Sequence, residues 1–139
     1  MKAGFHYTKQ VEFADTDMGG IVHFSRFFRY MEEAEHHFLR SKGLSIMMQV
    51  DGAPHGIPRV SATCDFKSPA YFEDSLAITV EVQRLGNSSL HYGFEISRNE
   101  TLLAVGKLVA VFCLMESGQK PKAVPIPPWI RDRLEGKSS

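Results

Sequence analysis

The chain has 139 residues and a formal net charge of zero, because 16 Lys and Arg balance 16 Asp and Glu. A chain of this length buries roughly two-thirds of its unfolded surface, so we expect a single domain over residues 1–139. The zero net charge argues against a nucleic-acid partner bound through its phosphates, and no apolar run is long enough to span a membrane.

The first elements along the chain are a strand, a loop and a helix. Residues 5–13 alternate between apolar and polar side chains, and this period of two predicts a half-buried strand. Residues 14–24 form a loop. Residues 26–42 then place apolar side chains three and four positions apart, which predicts an amphipathic helix that ends at Gly43.

After the helix, breaker residues predict an irregular segment over residues 45–57. The period of two then returns and predicts four more strands, over residues 60–66, 76–82, 90–96 and 102–115. The last of these is apolar on both faces, which is typical of a strand inside a sheet. A short terminal helix is predicted over residues 128–135.

This order of elements predicts an α+β fold, with one long central helix wrapped by a curved antiparallel sheet of about five strands. Such a sheet leaves strand edges open, so we expect two copies of the chain to pair. Cys64 and Cys113 lie in apparent strands, where they are interpreted as reduced core thiols. The first six residues lack the apolar segment of a signal peptide, and we therefore expect a cytoplasmic protein.

The loop before the helix carries two carboxylates and a histidine, Asp15, Asp17 and His23, around a Gly-Gly turn. A carboxylate beside a helix N-terminus can attack a carbonyl or deprotonate a water, because the helix end stabilises the developing oxyanion. From the residues alone, a carboxylate that caps the turn is the simpler interpretation of Asp17. Asp15 is interpreted as a hydrogen-bond acceptor that shapes the loop.

Two segments resemble the 4-hydroxybenzoyl-CoA thioesterase family. Residues 13–35 contain F-x-D-T-D-x-x-G-x-V-x-F followed by F-x-x-x-M-E-x-A-E, and residues 65–76 contain a strand, a Pro-Ala turn and an acidic pair. The resemblance covers nearly the whole chain and implies the hotdog fold, in which a long helix is wrapped by an antiparallel sheet. It also implies hydrolysis of an acyl-CoA thioester, with the site at the interface of a homodimer or homotetramer.

The resemblance further implies roles for individual residues. Asp17 matches the family's catalytic carboxylate, and Gly19-Gly20 match the substrate-binding turn that brings this carboxylate to the helix. The backbone N–H groups near His23 and Phe24 match the donors that polarise the thioester carbonyl. The histidine itself departs from the family pattern. His23 is predicted either as a catalytic residue that lines the substrate pocket or positions water, or as a structural histidine.

The contacts to CoA are predicted at four other positions. Relatives carry a basic cluster after the third strand, whereas this chain has a single basic residue there, Arg84. Arg84, Ser88 and Ser89 are the candidates for contacts with the CoA phosphates. Arg59 is a further candidate near the mouth of the pocket.

No metal and no cofactor are expected beside the CoA thioester substrate. Glu33-x-x-His36 has the spacing of di-iron helices, but such a site needs the motif on a second helix, so a solvated charged face is expected. Asp15-x-Asp17 is not followed by the pattern of a calcium-binding loop.

Three alternative functions share the fold. An acyl-ACP thioesterase would act on a protein carrier by the same chemistry, although few basic residues cluster for an acidic carrier. A non-catalytic acyl-CoA-binding module would hold the thioester intact. Hotdog dehydratases carry H-x-x-x-F-P-G or D-x-N-P-x-H patterns, which this chain lacks, and the G-x-S-x-G elbow of serine hydrolases is also absent.

Overall fold

Five strands form one antiparallel sheet in the computed structural model, which describes residues 4–136. In order across the sheet they are β1 (Phe5–Gln10), β5 (Ser75–Leu85), β6 (Ser89–Arg98), β7 (Thr101–Val111) and β4 (Arg59–Phe66). Neighbouring strands are antiparallel throughout, and tight turns connect β5 to β6 and β6 to β7. The predicted five-stranded sheet is confirmed, with β7 inside it.

Helix α1 (Arg26–Ser41) packs its apolar stripe against the main sheet. Its buried side chains are Phe27, Tyr30, Met31, Ala34, Glu35, Phe38 and Leu39. The helix ends as predicted at Gly43, which adopts a left-handed φ of 71°. The N–H groups of Gly43 and Leu44 donate to carbonyls of the last turn at 3.0 and 2.8 Å, and the Ser41 hydroxyl donates to the Phe38 carbonyl at 2.6 Å.

The prediction that the fold has one long helix is wrong, because the described residues contain two α-helices, α1 and α2 (Pro128–Leu134). Helix α2 occupies the range of the predicted terminal helix, and α1 itself has 16 residues. Pro128 stands in the first turn of α2, where its missing N–H removes no hydrogen bond. Ile130 and Leu134 are buried, so α2 packs on the core. Neither described helix is long and apolar enough to cross a membrane.

A second, four-stranded sheet lies beside the main one. Its strands, in order, are β2 (Met47–Val50), β3 (Ala53–Gly56), β8 (Cys113–Leu114) and β9 (Lys122–Ala123). The prediction of irregular chain over residues 45–57 is therefore wrong, because β2 and β3 form a hairpin. Its turn is Asp51-Gly52, with φ values of 52° and 77°. An Asp-Gly pair is a known signal for such a turn, and the sequence contained it.

Strand β4 lies at one edge of the main sheet and pairs with β7 alone within the described residues. Val60 and Phe66, which alternate with polar residues along this strand, are 63% and 48% exposed. The period of two is correct for a strand, but the apolar side chains of β4 remain largely uncovered in the single chain. This edge is the part of the sheet most in need of a partner.

Candidate active site

The loop that carries Asp17 is a closed turn held by its own backbone. β1 ends three residues earlier than predicted, and a 3-10 turn, Phe13–Asp15, begins the loop. The Asp17 N–H donates to the Ile21 carbonyl at 2.8 Å, and the Gly20 N–H donates to the Asp17 carbonyl at 3.0 Å. Gly20 has a φ of 81°, a conformation that favours glycine. The turn therefore exposes Asp17 at its tip.

The Asp17 carboxylate is oriented by the same turn. Its Oδ1 accepts a hydrogen bond from the Gly19 N–H at 2.8 Å, as in the capping interpretation. Both glycine N–H groups are thus bonded to Asp17, so in this conformation neither is free to bind substrate. No hydrogen bond to Oδ2 is found among residues 4–136, and this oxygen remains available for chemistry.

Asp15 anchors the loop to α1. Asp15 is buried, with 7% of its surface exposed, and its Oδ2 accepts hydrogen bonds from the Tyr30 hydroxyl at 2.8 Å and the Glu12 N–H at 3.0 Å. The Asp15 carbonyl accepts the His23 N–H at 2.8 Å. Burial, and then the nearby Asp15 carboxylate, raise the pKa of Tyr30 well above its ordinary value, so the phenol remains a donor. These bonds agree with the structural role predicted for Asp15.

Replacing Tyr30 by Phe is expected to lower the free energy of unfolding by about 1–3 kcal/mol, because the buried Asp15 carboxylate loses a donor. Urea denaturation at pH 7 measures this change. The exposed Tyr71 provides the matched control, and Tyr71→Phe is expected to stay within about 0.5 kcal/mol of wild type. Equal stability of the two variants would contradict a stabilising role for the hydrogen bond between Tyr30 and Asp15.

The raised pKa of Tyr30 also predicts a pH dependence. In the unfolded chain Tyr30 ionises near pH 10, whereas the folded state disfavours the phenolate. The contribution of Tyr30 is therefore complete below about pH 10 and decreases as the pH rises towards the folded-state pKa. Above about pH 10, the free energy of unfolding of the Tyr30→Phe variant is therefore expected to decrease less steeply with pH than that of wild type.

Asp17 lines an open, mainly apolar cleft of about 500 Å³ between the loop, the start of α1 and the end of β4. The other lining residues are Ile21, Val22, Phe24, Phe27, Phe66, Lys67, Ser68 and Pro69. The Val22 N–H donates to the Ala70 carbonyl at 2.8 Å, which joins the loop to the segment that follows β4. The Phe66 ring meets those of Phe24 and Phe27 edge to face, with centroids 6.5 and 5.2 Å apart.

The N–H groups at the start of α1 are mostly occupied. Those of Arg26 and Phe27 donate to the carbonyls of residues 23 and 24, at 2.9 and 3.3 Å, and that of His23 is bound to Asp15. Within the described part of the chain, no acceptor is found for the Phe24 N–H, and Phe24 lines the cleft with Asp17. Of the two predicted oxyanion donors, only Phe24 is therefore available.

His23 is exposed, and among the described residues it does not line the cleft. Its Nδ1 lies 2.8 Å from Ser25 Oγ, and the Ser25 N–H donates to the same nitrogen at 3.3 Å. The helix N-cap residue thus orients the imidazole instead of capping α1 with its hydroxyl. A catalytic role for His23 stays a prediction.

Arg59 is engaged by a buried carboxylate that the sequence analysis missed. Glu35 is fully buried, and Arg59 binds both its oxygens, through Nη1 at 3.0 Å to Oε2 and through Nη2 to Oε1. Arg59 Nη2 also lies 3.7 Å from a carboxylate oxygen of Glu32. The sequence did contain a signal for the burial of Glu35. This residue lies four positions from both Met31 and Leu39, and therefore on the apolar face of the helix.

The remaining predicted CoA contacts lie elsewhere in the fold. Arg84 lies opposite His91 near the end of β5, about 30 Å along the strand from the end beside the Asp17 loop. Arg84 lines a second cleft, of about 580 Å³, that shares no lining residue with the first. The Ser88 carbonyl accepts an N–H from Phe112, and Ser89 Oγ lies 3.1 Å from a nitrogen of His91. One chain does not bring these residues to Asp17.

Metal ligands do not gather at the cleft. Across residues 4–136, no group of three or more His, Cys, Asp or Glu side chains has an arrangement that could hold a metal ion. The side chain of Glu33 instead lies 3.1 Å from Lys9 Nζ and accepts a hydrogen bond from the Tyr7 hydroxyl. The cleft therefore offers a carboxylate at Asp17, an N–H at Phe24 without an acceptor among the described residues, the ammonium of Lys67 and mainly apolar walls.

Comparison with known proteins assigns the family. Residues 11–134 match the model of the Thioesterase-like superfamily, and the chain belongs to that superfamily. It is 29% identical over 126 residues to the 1,4-dihydroxy-2-naphthoyl-CoA hydrolase of Synechocystis sp., with 90% of this chain and 91% of that protein covered.

Solved structures agree with this assignment. The chain superimposes on a 1,4-dihydroxy-2-naphthoyl-CoA thioesterase from Synechocystis with a TM-score of 0.84 and 28% identity, covering 95% of this chain and 96% of the other. A gentisyl-coenzyme A thioesterase gives a TM-score of 0.80 and 29% identity, with 93% and 98% covered. The predicted resemblance to hotdog thioesterases is confirmed, and these comparisons support a thioester hydrolase.

Proposed function

We propose that this protein hydrolyses a CoA thioester to a free acid and CoA, with Asp17 as nucleophile or general base. One observation carries the proposal: Asp17 and Phe24, whose N–H has no acceptor among the described residues, line the same apolar cleft. The named relatives above are CoA thioester hydrolases, which supports the same class of substrate here. The thioester carbonyl would lie between the carboxylate and the N–H donor.

The proposed chemistry follows from these two groups. Either Asp17 Oδ2 adds to the carbonyl carbon and forms an anhydride that water then cleaves, or it deprotonates a water that adds directly. In both routes the carbonyl oxygen gains a negative charge that the Phe24 N–H and the N-terminus of α1 stabilise. Collapse of this tetrahedral intermediate breaks the C–S bond and releases the CoA thiolate, a leaving group that needs little help from an acid. In the first route this collapse forms the anhydride, and water cleaves it afterwards.

An aryl acyl group is the substituent that the cleft favours. Phe24 and Phe66 are 62% and 48% exposed, and they offer aromatic surfaces in the cleft that Asp17 lines. Flat aromatic ligands pack on such surfaces in offset or edge-to-face arrangements. The naphthoyl and gentisyl groups in the names of the relatives are also aryl groups.

Thiol release from a panel of acyl-CoAs tests the proposed function. Short, medium and long aliphatic esters are compared with aryl esters, and wild type is assayed beside Asp17→Asn. We expect turnover by wild type, with aryl esters preferred. Turnover restricted to an acylated carrier protein would favour an acyl-ACP thioesterase, and binding of an acyl-CoA that stays intact for hours would favour a non-catalytic module.

We also propose that two chains pair through β4, as a dimer or as a tetramer built from dimers. The exposed Val60 and Phe66 on the open edge of β4 support this pairing. Because Phe66 also lines the cleft, a partner at this edge would help to enclose the substrate. A cytoplasmic location is supported by the free thiols of Cys64 and Cys113, and burial raises the pKa of Cys64 to about 11.

Introducing a charge on this edge is expected to weaken the assembly. The Val60→Asp variant would place a carboxylate in the apolar contact, at a cost of several kcal/mol unless it is paired. Sedimentation velocity of wild type and variant measures the shift towards the monomer. Met47→Asp makes the same change at an exposed position of the second sheet and is expected to leave the assembly intact. An unchanged assembly in Val60→Asp would contradict pairing through β4.

A further inference from the structure

The cleft contains one cation that the sequence analysis did not select. Lys67 follows β4 directly and lines the same cleft as Asp17. Its side chain is exposed, and no carboxylate within residues 4–136 lies within salt-bridge distance of its ammonium. A lysine in this setting keeps a mobile, unneutralised positive charge beside the candidate active site.

The backbone at Lys67 is held firmly. The N–H groups of Lys67 and Ser68 both donate to the Leu103 carbonyl, at 2.8 and 3.2 Å. The next residue, Pro69, accepts a hydrogen bond from Arg98 Nη1 at 3.1 Å. The base of the lysine side chain is therefore fixed relative to β7, while its flexible stem can reach a ligand.

The arginines near this end of the sheet, and those predicted to contact CoA, are neutralised or lie elsewhere. Arg26 lies 3.8 Å from the Asp15 carboxylate, and Arg98 donates to Asp74 at 2.7 Å. Arg59 is bound by Glu35. Arg84 lines the other cleft. Among the described residues that line the Asp17 cleft, Lys67 is therefore the cation that is free to bind an anionic ligand.

We propose that Lys67 binds a phosphate group of the CoA moiety, an inference that rests on the proposed function because it takes a CoA thioester as the ligand of this cleft. Phosphates are the anionic part of such a substrate, and an ammonium group binds them through charge-assisted hydrogen bonds. Because Lys67 is exposed, the attraction is screened by salt. The residue sets affinity for the CoA end of the substrate and leaves the chemical step to Asp17.

Comparison of two thioesters with the same acyl group tests this assignment. One is the CoA ester, and the other is the pantetheine ester, which lacks the phosphates. For Lys67→Gln we expect KM for the CoA ester to rise about five- to tenfold with kcat unchanged, and KM for the pantetheine ester to stay the same. Lys67→Arg is expected to retain most of the affinity, and the ionic-strength dependence of KM should be weaker in Lys67→Gln than in wild type.

Lys122→Gln is the matched control, because it removes one exposed positive charge from the second sheet. It is expected to leave both thioesters unaffected. Equal losses on the CoA and pantetheine esters in Lys67→Gln would overturn the assignment, since Lys67 would then act at the acyl end. An unchanged KM for the CoA ester would overturn it as well, as would a CoA-selective loss in Arg84→Gln instead of Lys67→Gln.

Binding of free CoA separates this inference from the proposed function. Calorimetric titration of CoA needs no turnover, so it tests Lys67 even if wild type cleaves no thioester. Weaker binding of CoA by Lys67→Gln, with Lys122→Gln equal to wild type, supports the phosphate contact in either case. Binding of CoA that is equal in all three proteins, or absent from wild type, overturns it.

Discussion

Asp17→Asn is expected to lower kcat for a CoA thioester by about 10²- to 10⁴-fold while the protein keeps its fold. The amide is nearly the same size as the carboxylate, and its oxygen can still accept the hydrogen bond from the Gly19 N–H. What it lacks is the negative charge needed to attack a carbonyl or accept a proton from water. The substitution therefore isolates the chemical role from the role of Asp17 in the turn.

The measurement is steady-state thiol release, with thermal unfolding as the check on folding. Since Asp17 is exposed, we expect the free energy of unfolding to change by no more than about 0.5 kcal/mol. Asp132→Asn, on α2, is the matched control and should turn over as wild type does. Turnover close to wild type in a folded Asp17→Asn protein would restrict this carboxylate to capping the turn.

The second large effect is on stability. Arg59→Met is expected to lower the free energy of unfolding by about 3–5 kcal/mol, because it leaves the fully buried Glu35 carboxylate without its counter-charge. Methionine replaces much of the apolar stem of Arg59, so the loss reports mainly the missing charge. Guanidinium denaturation of wild type and variant at pH 7 measures it.

A paired variant separates the charge from the packing. Glu35→Leu combined with Arg59→Met removes both charges, and we expect it to recover most of the stability lost in Arg59→Met. The control is Arg29→Met, which removes the more exposed ion pair between Arg29 and Glu33, 3.5 Å apart. It should lower the free energy of unfolding by less than about 1 kcal/mol. If Arg59→Met costs no more than Arg29→Met, the buried pair contributes no more than an exposed one.

Much of the fold could be predicted because its signals are local. The period of two in the strands, the apolar stripe of α1 and the glycine at its end each depend on neighbours a few residues away. The hairpin at Asp51-Gly52 also carried a local signal, although the sequence analysis predicted irregular chain there. The candidate site was predicted in part: the motif selected Asp17 and Phe24, which line one cleft.

The predictions at Arg59 and Arg84 depend on groups that lie far apart in the chain. Arg59 and Glu35 are separated by 24 positions, and only the packing of β4 against α1 brings them together. The CoA contacts predicted at Arg84 lie at the far end of β5, because the length of that strand carries them away from the Asp17 loop. Lys67 carries no motif, and it stands out only once its neighbours are found to be neutralised.

The sequence by itself determined the α+β class, the antiparallel sheet around α1 and the loop that carries the catalytic candidate, because side-chain periodicity and turn residues act over short stretches of chain. The tertiary structure alone decided which polar groups are occupied. In the folded chain the His23 N–H donates to the Asp15 carbonyl, the Phe24 N–H has no acceptor among the described residues, and the buried Glu35 pairs with Arg59. Such pairings depend on the register of distant elements, since each buried donor or charge takes the partner that packing brings within reach.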